Sequence, residues 1–270
     1  MSSRLETAYY DLGRLDLLAE KDSPIHRLDP RAKVAATLVF IIYVVSFSRY
    51  EIARLLPFFL FPALMIGIAD LPFGYLLRKL ILVSPFVIFI GVFNPFLDRE
   101  IMFQVGTFEV SGGWLSFISI LLRFILTVGA ALLLIATTGF PAICMALEKL
   151  GLPEILTVQL LMLYRYLFVL IEESIRIMRA YTLRSFSGKK PRYQVFKQLL
   201  GNLLLRTIDR AQRIHMAMLS RAFTGEIKTA RQFSFGTPEI FYLAGCITLF
   251  TFIRFVNISA LIGKLLLEAG

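Results

Sequence analysis

The chain has 270 residues, of which 57% are hydrophobic and only 18% charged, and phenylalanine alone contributes 25. A soluble domain is usually about 45–50% apolar and about 25% charged, so a mean hydropathy of +0.72 excludes an ordinary soluble enzyme and points to an integral membrane protein. The net charge of +10 would suggest nucleic acid in a soluble protein, but here its location along the chain decides the reading.

The first 33 residues carry six basic and six acidic side chains before any apolar run begins, which is the wrong order for a signal peptide. Asp29 followed by Pro30 predicts a helix start, with Asp as N-cap and Pro in the first helical position. That pair serves either as the cap of the first span or as a contact for a partner. Uncharged runs follow at 34–48, 55–69, 80–97, 124–147 and 240–253. A span needs roughly 20 mostly apolar residues. The runs predict an all-α integral membrane protein with about five transmembrane helices, the first two forming a tight hairpin. Residues 98–113 alternate (Phe103, Val105, Phe108, Val110) and lead into Gly112-Gly113-Trp114. This predicts a short β-hairpin with a tryptophan at the membrane interface. The stretch 155–171 is apolar but carries Arg165 in its middle, and reads as a buried or interfacial helix rather than a sixth span. Arg123 and Arg254 lie within the apolar zone and fit headgroup snorkelling or bundle packing.

The expected organisation is a cytoplasmic N-terminal segment (1–32), a four-helix transmembrane region (33–147), a cytoplasmic module of long amphipathic helices (148–235) and a C-terminal transmembrane segment (236–270). Placing the N-terminus in the cytoplasm puts 23 of the 29 basic residues inside, as the positive-inside rule demands.

Residues 148–231 hold 15 basic and 6 acidic side chains. Two helical patterns run through them, 153–187 and 193–224, with Gly188 and Gly225 where a left-handed closing residue belongs. Both end alike. The first reads Ala180-Tyr-Thr-Leu-Arg184-Ser-Phe186-Ser-Gly188, the second Ala217-Met-Leu-Ser-Arg221-Ala-Phe223-Thr-Gly225. Alanine four residues before the arginine leaves a flat spot beside it. The guanidinium projects there as a fork able to grip a carboxylate at two points. A cation at a helix C-terminus accounts for the arginine alone, not for the shared Ala, Phe and Gly. The second helix adds Arg206, Arg210 and Arg213 on the face of Arg221. Such a face could lie on anionic lipid, bind nucleic acid, or dock into a partner protein. The paired motif favours docking, with Arg184, Arg221, Ala180, Ala217, Phe186 and Phe223 as the contact residues and Arg206, Arg210 and Arg213 in support.

No phosphate-binding glycine loop, zinc-protease or nucleophile-elbow motif occurs anywhere in the chain. Two histidines (His26, His215) and two cysteines (Cys144, Cys246) are too few and too scattered for a metal site. A membrane enzyme acting on anionic lipid would need a base near the arginines; Glu172, Glu173 and Asp209 are the available carboxylates. A plain membrane anchor is the remaining class.

Several segments together resemble a known family. They are Asp22-Ser23-Pro24-Ile25-His26-Arg27-Leu28-Asp29-Pro30-Arg31-Ala32-Lys33, Phe93-Asn94-Pro95-Phe96, Thr137-Thr138 and Leu163-Tyr164-Arg165-Tyr166-Leu167-Phe168. With the paired Leu183-Arg184-Ser185 and Ser220-Arg221-Ala222, they resemble the transmembrane coupling (T) component of energy-coupling-factor ABC transporters, most of all its cobalt-transport branch, CbiQ. Many members carry Ala-Arg-Gly where this chain has Leu183-Arg184-Ser185 and Ser220-Arg221-Ala222. The resemblance implies a non-catalytic subunit with no cofactor of its own. Two ATPase subunits would hold ATP and Mg and receive Arg184 and Arg221. A substrate-capturing membrane subunit would pack beside it. Cobalt uptake feeding cobalamin synthesis is the implied role; nickel, biotin or other vitamins are the alternative substrates.

Overall fold

The structure is a computed structural model that describes residues 13–48, 50–94, 101–105, 108–184, 193–223, 225 and 236–256. In chain order the elements are α1 (Pro24–Arg27), α2 (Pro30–Val45), α3 (Ile52–Ala69), α4 (Phe73–Gly91), β1 (Ile101–Val105), β2 (Phe108–Ser111), α5 (Gly112–Thr138), α6 (Phe140–Lys149), α7 (Glu154–Arg184), α8 (Tyr193–Leu219) and α9 (Thr237–Phe255). The chain packs as two units. One comprises Leu18–Gly139 with Phe233–Gly270, the other Met1–Leu17 with Phe140–Gln232.

Among the described residues, five helices are long and apolar enough to cross a membrane: α3, α4, α5, α7 and α9. The number matches the sequence reading, but the membership does not. α2 has only 16 residues, about 24 Å of helix. α7 runs unbroken for 31 residues and is not a buried helix, since Ile155 and Leu163 are exposed. The apolar run at 124–147 is also two helices rather than one. Gly139 breaks it with φ +77, a left-handed conformation that suits glycine, and Pro141 then stands at the start of α6. Hydropathy passes through this break without a change, so it leaves no trace in an apolar count. In α3 the cause of irregularity is plain. Pro57 lacks an N–H to donate, and residues 56–59 tighten to a 3-10 turn between two α segments.

The predicted hairpin is present, with β1 and β2 antiparallel and Val105 opposite Phe108. Trp114 follows in the first turn of α5 and is exposed. α4 and α5 approach closely because Gly91 has no side chain; a Cβ there would lie 2.6 Å from the Phe117 ring. The outer face of α4 shows Ile81, Leu82, Phe86 and Phe89, as lipid-facing helices do.

The core of the first unit is aromatic. Phe40 of α2 lies 4.8 Å from Phe61, 5.3 Å from Phe250 and 5.9 Å from Phe58, ring centre to ring centre. α2 is fixed at both ends by long-range polar contacts. At its start the Asp29 carboxylate accepts from the Arg31 N–H at 2.8 Å, with Pro30 in the first turn. The expected cap is therefore formed. Asp29 is buried, so it is not offered to a partner. Glu239 ties α9 to this point by accepting from the Asp29 N–H at 3.4 Å and the Gly236 N–H at 2.8 Å. Lys33 is 2% exposed and donates to the Thr137 carbonyl at 3.0 Å, a cation on the C-terminal carbonyls of α5. Two segments that carry the family resemblance are thus one contact. His26 Nε2 donates to the Leu18 carbonyl at 3.1 Å, and its Nδ1 is hydrogen-bonded to the Ser23 hydroxyl at 2.7 Å. Burial, then the Lys33 charge, hold its pKa below the usual imidazole value.

At the other end of α2, two arginines converge. Arg123 donates to the carbonyls of Phe47 at 3.0 Å and Ser48 at 2.8 Å. Arg254 donates to the Ser46 carbonyl at 3.3 Å and lies 4.0 Å over the Phe47 ring. They cap a helix end, which places them with bundle packing rather than headgroup snorkelling. Arg123→Met is expected to lower stability by about 0.5–1.5 kcal/mol, because it removes the donor from a half-buried carbonyl, that of Phe47, and from the exposed carbonyl of Ser48. Thermal unfolding in detergent checks this; an unchanged midpoint would show that the carbonyls find other donors.

Candidate functional site at the ends of two long helices

The second unit is built around α7 and α8. Tyr164 of α7 stacks on Phe140 of α6 at 4.6 Å and packs edge-on against Phe168 at 5.3 Å. Its hydroxyl donates to Asp16, which ties the chain around Asp16 to α7. The Leu163–Phe168 segment is therefore a packing node, while Arg165 between its aromatics is exposed.

The two helices run antiparallel. Glu173 of α7 accepts from Arg206 of α8 at 2.7 Å. An apolar, half-open groove of about 460 Å³ lies beside this pair, with Met162, Tyr166 and Leu170 on one wall and Ile208, Ile214 and Met218 on the other. A parallel arrangement would put Glu173 opposite Met218, about 18 Å from Arg206. Glu173 also lies 3.6 Å from Arg176. A carboxylate held between two guanidiniums is a poor general base, which weighs against the lipid-enzyme reading.

The arginines predicted to act together do not share one environment. Arg206 is engaged with Glu173. Arg210 borders the apolar groove. Arg213 stands with Asp209, Gln212 and Met216 around a separate shallow depression. Arg184 and Arg221 are exposed, as are Ala180 and Ala217 four residues before them, and Phe223 is half-buried. Phe186 and Gly188 lie outside the described residues. Arg184 is the last residue of α7.

α8 closes differently from the sequence expectation. Its last helical residue is Leu219. The Phe223 N–H reaches back to the Met218 carbonyl at 3.1 Å, and the Ala222 N–H to the Leu219 carbonyl at 3.0 Å. This is the two-bond Schellman closure, and its left-handed residue is Ala222, with φ 55. Gly225 also has positive φ but lies beyond the closure. The geometry gives a physical preference for glycine directly after this arginine. The closure needs a left-handed residue there, and alanine occupies the position under strain of about 1–2 kcal/mol. Ala222→Gly is expected to raise stability by about 0.5–1 kcal/mol, after the extra freedom of glycine in the unfolded chain is deducted. Ala222→Val should lower it. Thermal unfolding of the pair checks the sign; a destabilised glycine variant would remove strain as the explanation.

The profile of the cobalt transport protein family CbiQ matches residues 21–233, spanning everything from the Asp22–Lys33 signature to the closure of α8. The chain belongs to that family. The transmembrane protein EcfT of the energy-coupling factor transporter of Bacillus subtilis is 30% identical over 218 residues, 75% of this chain and 82% of its own length. EcfT of Leuconostoc gelidum is 29% identical over 227 residues, 78% of this chain and 83% of its own. The cobalt transport protein CbiQ of Salmonella typhimurium is 30% identical over 105 residues, 38% of this chain and 47% of its own. The chain is accordingly a CbiQ-type transmembrane component of an energy-coupling-factor transporter, multi-pass and not an enzyme.

Sequence reasoning found the two arginine ends from their repeat. It missed the Glu173–Arg206 pair, because 33 residues separate the partners and no local spacing announces it. It missed Tyr164–Asp16 for the same reason.

Proposed function

We propose that this chain couples two ATPase subunits to a substrate-capturing membrane subunit in an importer. The observation that carries the reading is the pair of exposed arginines, Arg184 and Arg221, at the ends of two long antiparallel helices. Each would enter a groove on one ATPase and meet acidic groups there. ATP and Mg would reside on those subunits, with no cofactor on this chain. ATP-driven closure would move the helix ends, and α7 and α8 would carry that motion to the captured substrate.

Cobalt, feeding cobalamin synthesis, is the substrate we propose. The name of the matching family supports it, as does the name of the Salmonella relative. Among the described residues no three His, Cys, Asp or Glu side chains stand together as metal ligands, and the proposal places substrate capture on the other membrane subunit. In the proposed topology α2, though short, crosses the cell's inner membrane and α7, though apolar enough to cross, stays on the cytoplasmic side with α8 and the N-terminus; that division puts 23 of the 29 basic residues in the cytoplasm.

Co-purification tests the function. An affinity-tagged chain is expected to bring down subunits that carry a phosphate-binding loop, and none in the eluate would sink the reading. Cysteine labelling tests the topology: a cysteine at Thr107 should react from outside, and one at Lys190 only after permeabilisation.

A further inference from the structure

The Glu173–Arg206 pair sits between the two docking ends. Arg184 lies 11 residues beyond Glu173 on α7, about 16 Å along the helix, and Arg221 lies 15 residues beyond Arg206 on α8, about 22 Å. Because the helices are antiparallel, these two stretches point in opposite directions from the pair. Any relative displacement of the two ends therefore has to pass through the contact where Glu173 meets Arg206.

What holds the helices in register there is not the groove. Its walls are apolar and half-open, and apolar contact is non-directional, so it tolerates sliding. An ion pair at 2.7 Å is directional. A slip of one helical turn, about 5.4 Å, would break it. Glu173 is held from its own side by Arg176 at 3.6 Å, so the carboxylate is aimed before Arg206 reaches it. The side chain of Glu173 is 20% exposed and that of Arg206 63%. Pairs this open add little to stability, which separates a role in geometry from a role in holding the fold.

We propose that Glu173 and Arg206 form a register clamp between the two lever helices, and that they act as positioning residues for coupling. The clamp deepens the coupling function proposed above and rests on it for its purpose, though not for its existence. With the clamp closed, α7 and α8 move as one body when the ATPases pull on Arg184 and Arg221. With it open, part of the pull is dissipated as sliding across the groove.

The clamp itself is tested on the purified full chain without partners. Spin labels at Leu183 and Leu219, both exposed, report the separation of the helix ends by pulsed electron resonance. One narrow distance distribution is expected. Glu173→Arg or Arg206→Glu should broaden it at least twofold, and the two together, which restore an opposite-charge pair, should narrow it again. Unchanged widths in both single variants would overturn the clamp, and so would a swap as broad as either. If a single variant does not accumulate in the membrane, the swap decides: recovery of both protein and narrow width supports the clamp, and failure overturns it. In the assembled transporter, Co²⁺ uptake per ATP hydrolysed is expected to fall about tenfold in each single variant and to return within threefold in the swap, with the ATPases still bound. Uptake unaltered in the single variants would overturn the positioning role. Loss of ATPase binding by the unmodified chain would instead sink the coupling function and leave the distance measurement standing.

Discussion

Replacing Arg184 and Arg221 by alanine is expected to part this chain from its ATPase subunits while leaving it folded and inserted. Both side chains are exposed, so neither supports the fold. At an interface the situation reverses. A guanidinium that docks beside a carboxylate in a desolvated groove leaves that carboxylate buried and unpaired when it is removed. Such truncations cost about 2–5 kcal/mol, or roughly 30- to several thousand-fold in affinity. Each single variant should weaken assembly or uncouple ATP hydrolysis from uptake, and the double variant should do both severely. Lysine should rescue only in part, since an ammonium lacks the planar two-point fork. Arg206→Ala probes something else, the contact with Glu173, and should leave ATPase binding intact. Pull-down of the ATPases with an uptake assay reads all of these. Normal assembly and transport in both singles and the double would reduce the repeat to a way of ending helices.

Phe40→Ala is expected to be the most damaging single change to the membrane unit. The ring is 0% exposed and touches three other rings from α3 and α9. In a water-soluble core such a truncation costs about 3–5 kcal/mol, part from transfer and part from the cavity. Lipid tails are as apolar as phenylalanine, so the transfer part shrinks in a membrane. The cavity part survives, because the lining atoms lose their partners whatever solvent lies outside. A loss of about 2–4 kcal/mol is the expectation, with Phe40→Leu losing less than half of that. Thermal unfolding in detergent measures both, and equal losses for Leu and Ala would argue against a cavity.

The sequence was informative where a signal is local. Asp29-Pro30 announced a helix start and Trp114 followed a hairpin, because caps and turns use residues adjacent in the chain. Apolar runs located most of the membrane helices. What stayed hidden was set by geometry at a distance. Lys33 closes the Asp22–Lys33 segment with nothing local to mark it as buried, yet it lies against Thr137, 104 residues away. The break at Gly139 lies within continuous hydropathy. The closure of α8 escaped because Ala222, not a glycine, takes the left-handed conformation. Arg206 read as one more member of a basic face, and only the approach of α7 shows that it is already engaged.

The capping of α2 has a consequence for how the protein is made. Ser46 and Arg254, which join the end of α2 to α9, are separated by 208 residues. A ribosome adding about 5–20 residues per second needs roughly 10–40 s to travel between them. Early in that interval the Phe47 and Ser48 carbonyls wait for Arg123, and until its end the Ser46 carbonyl waits for Arg254. A chain cut short before α9 would have Arg123 in place at this end but leave the Ser46 carbonyl without Arg254, so the join between α2 and α9 is among the last contacts of this unit to form.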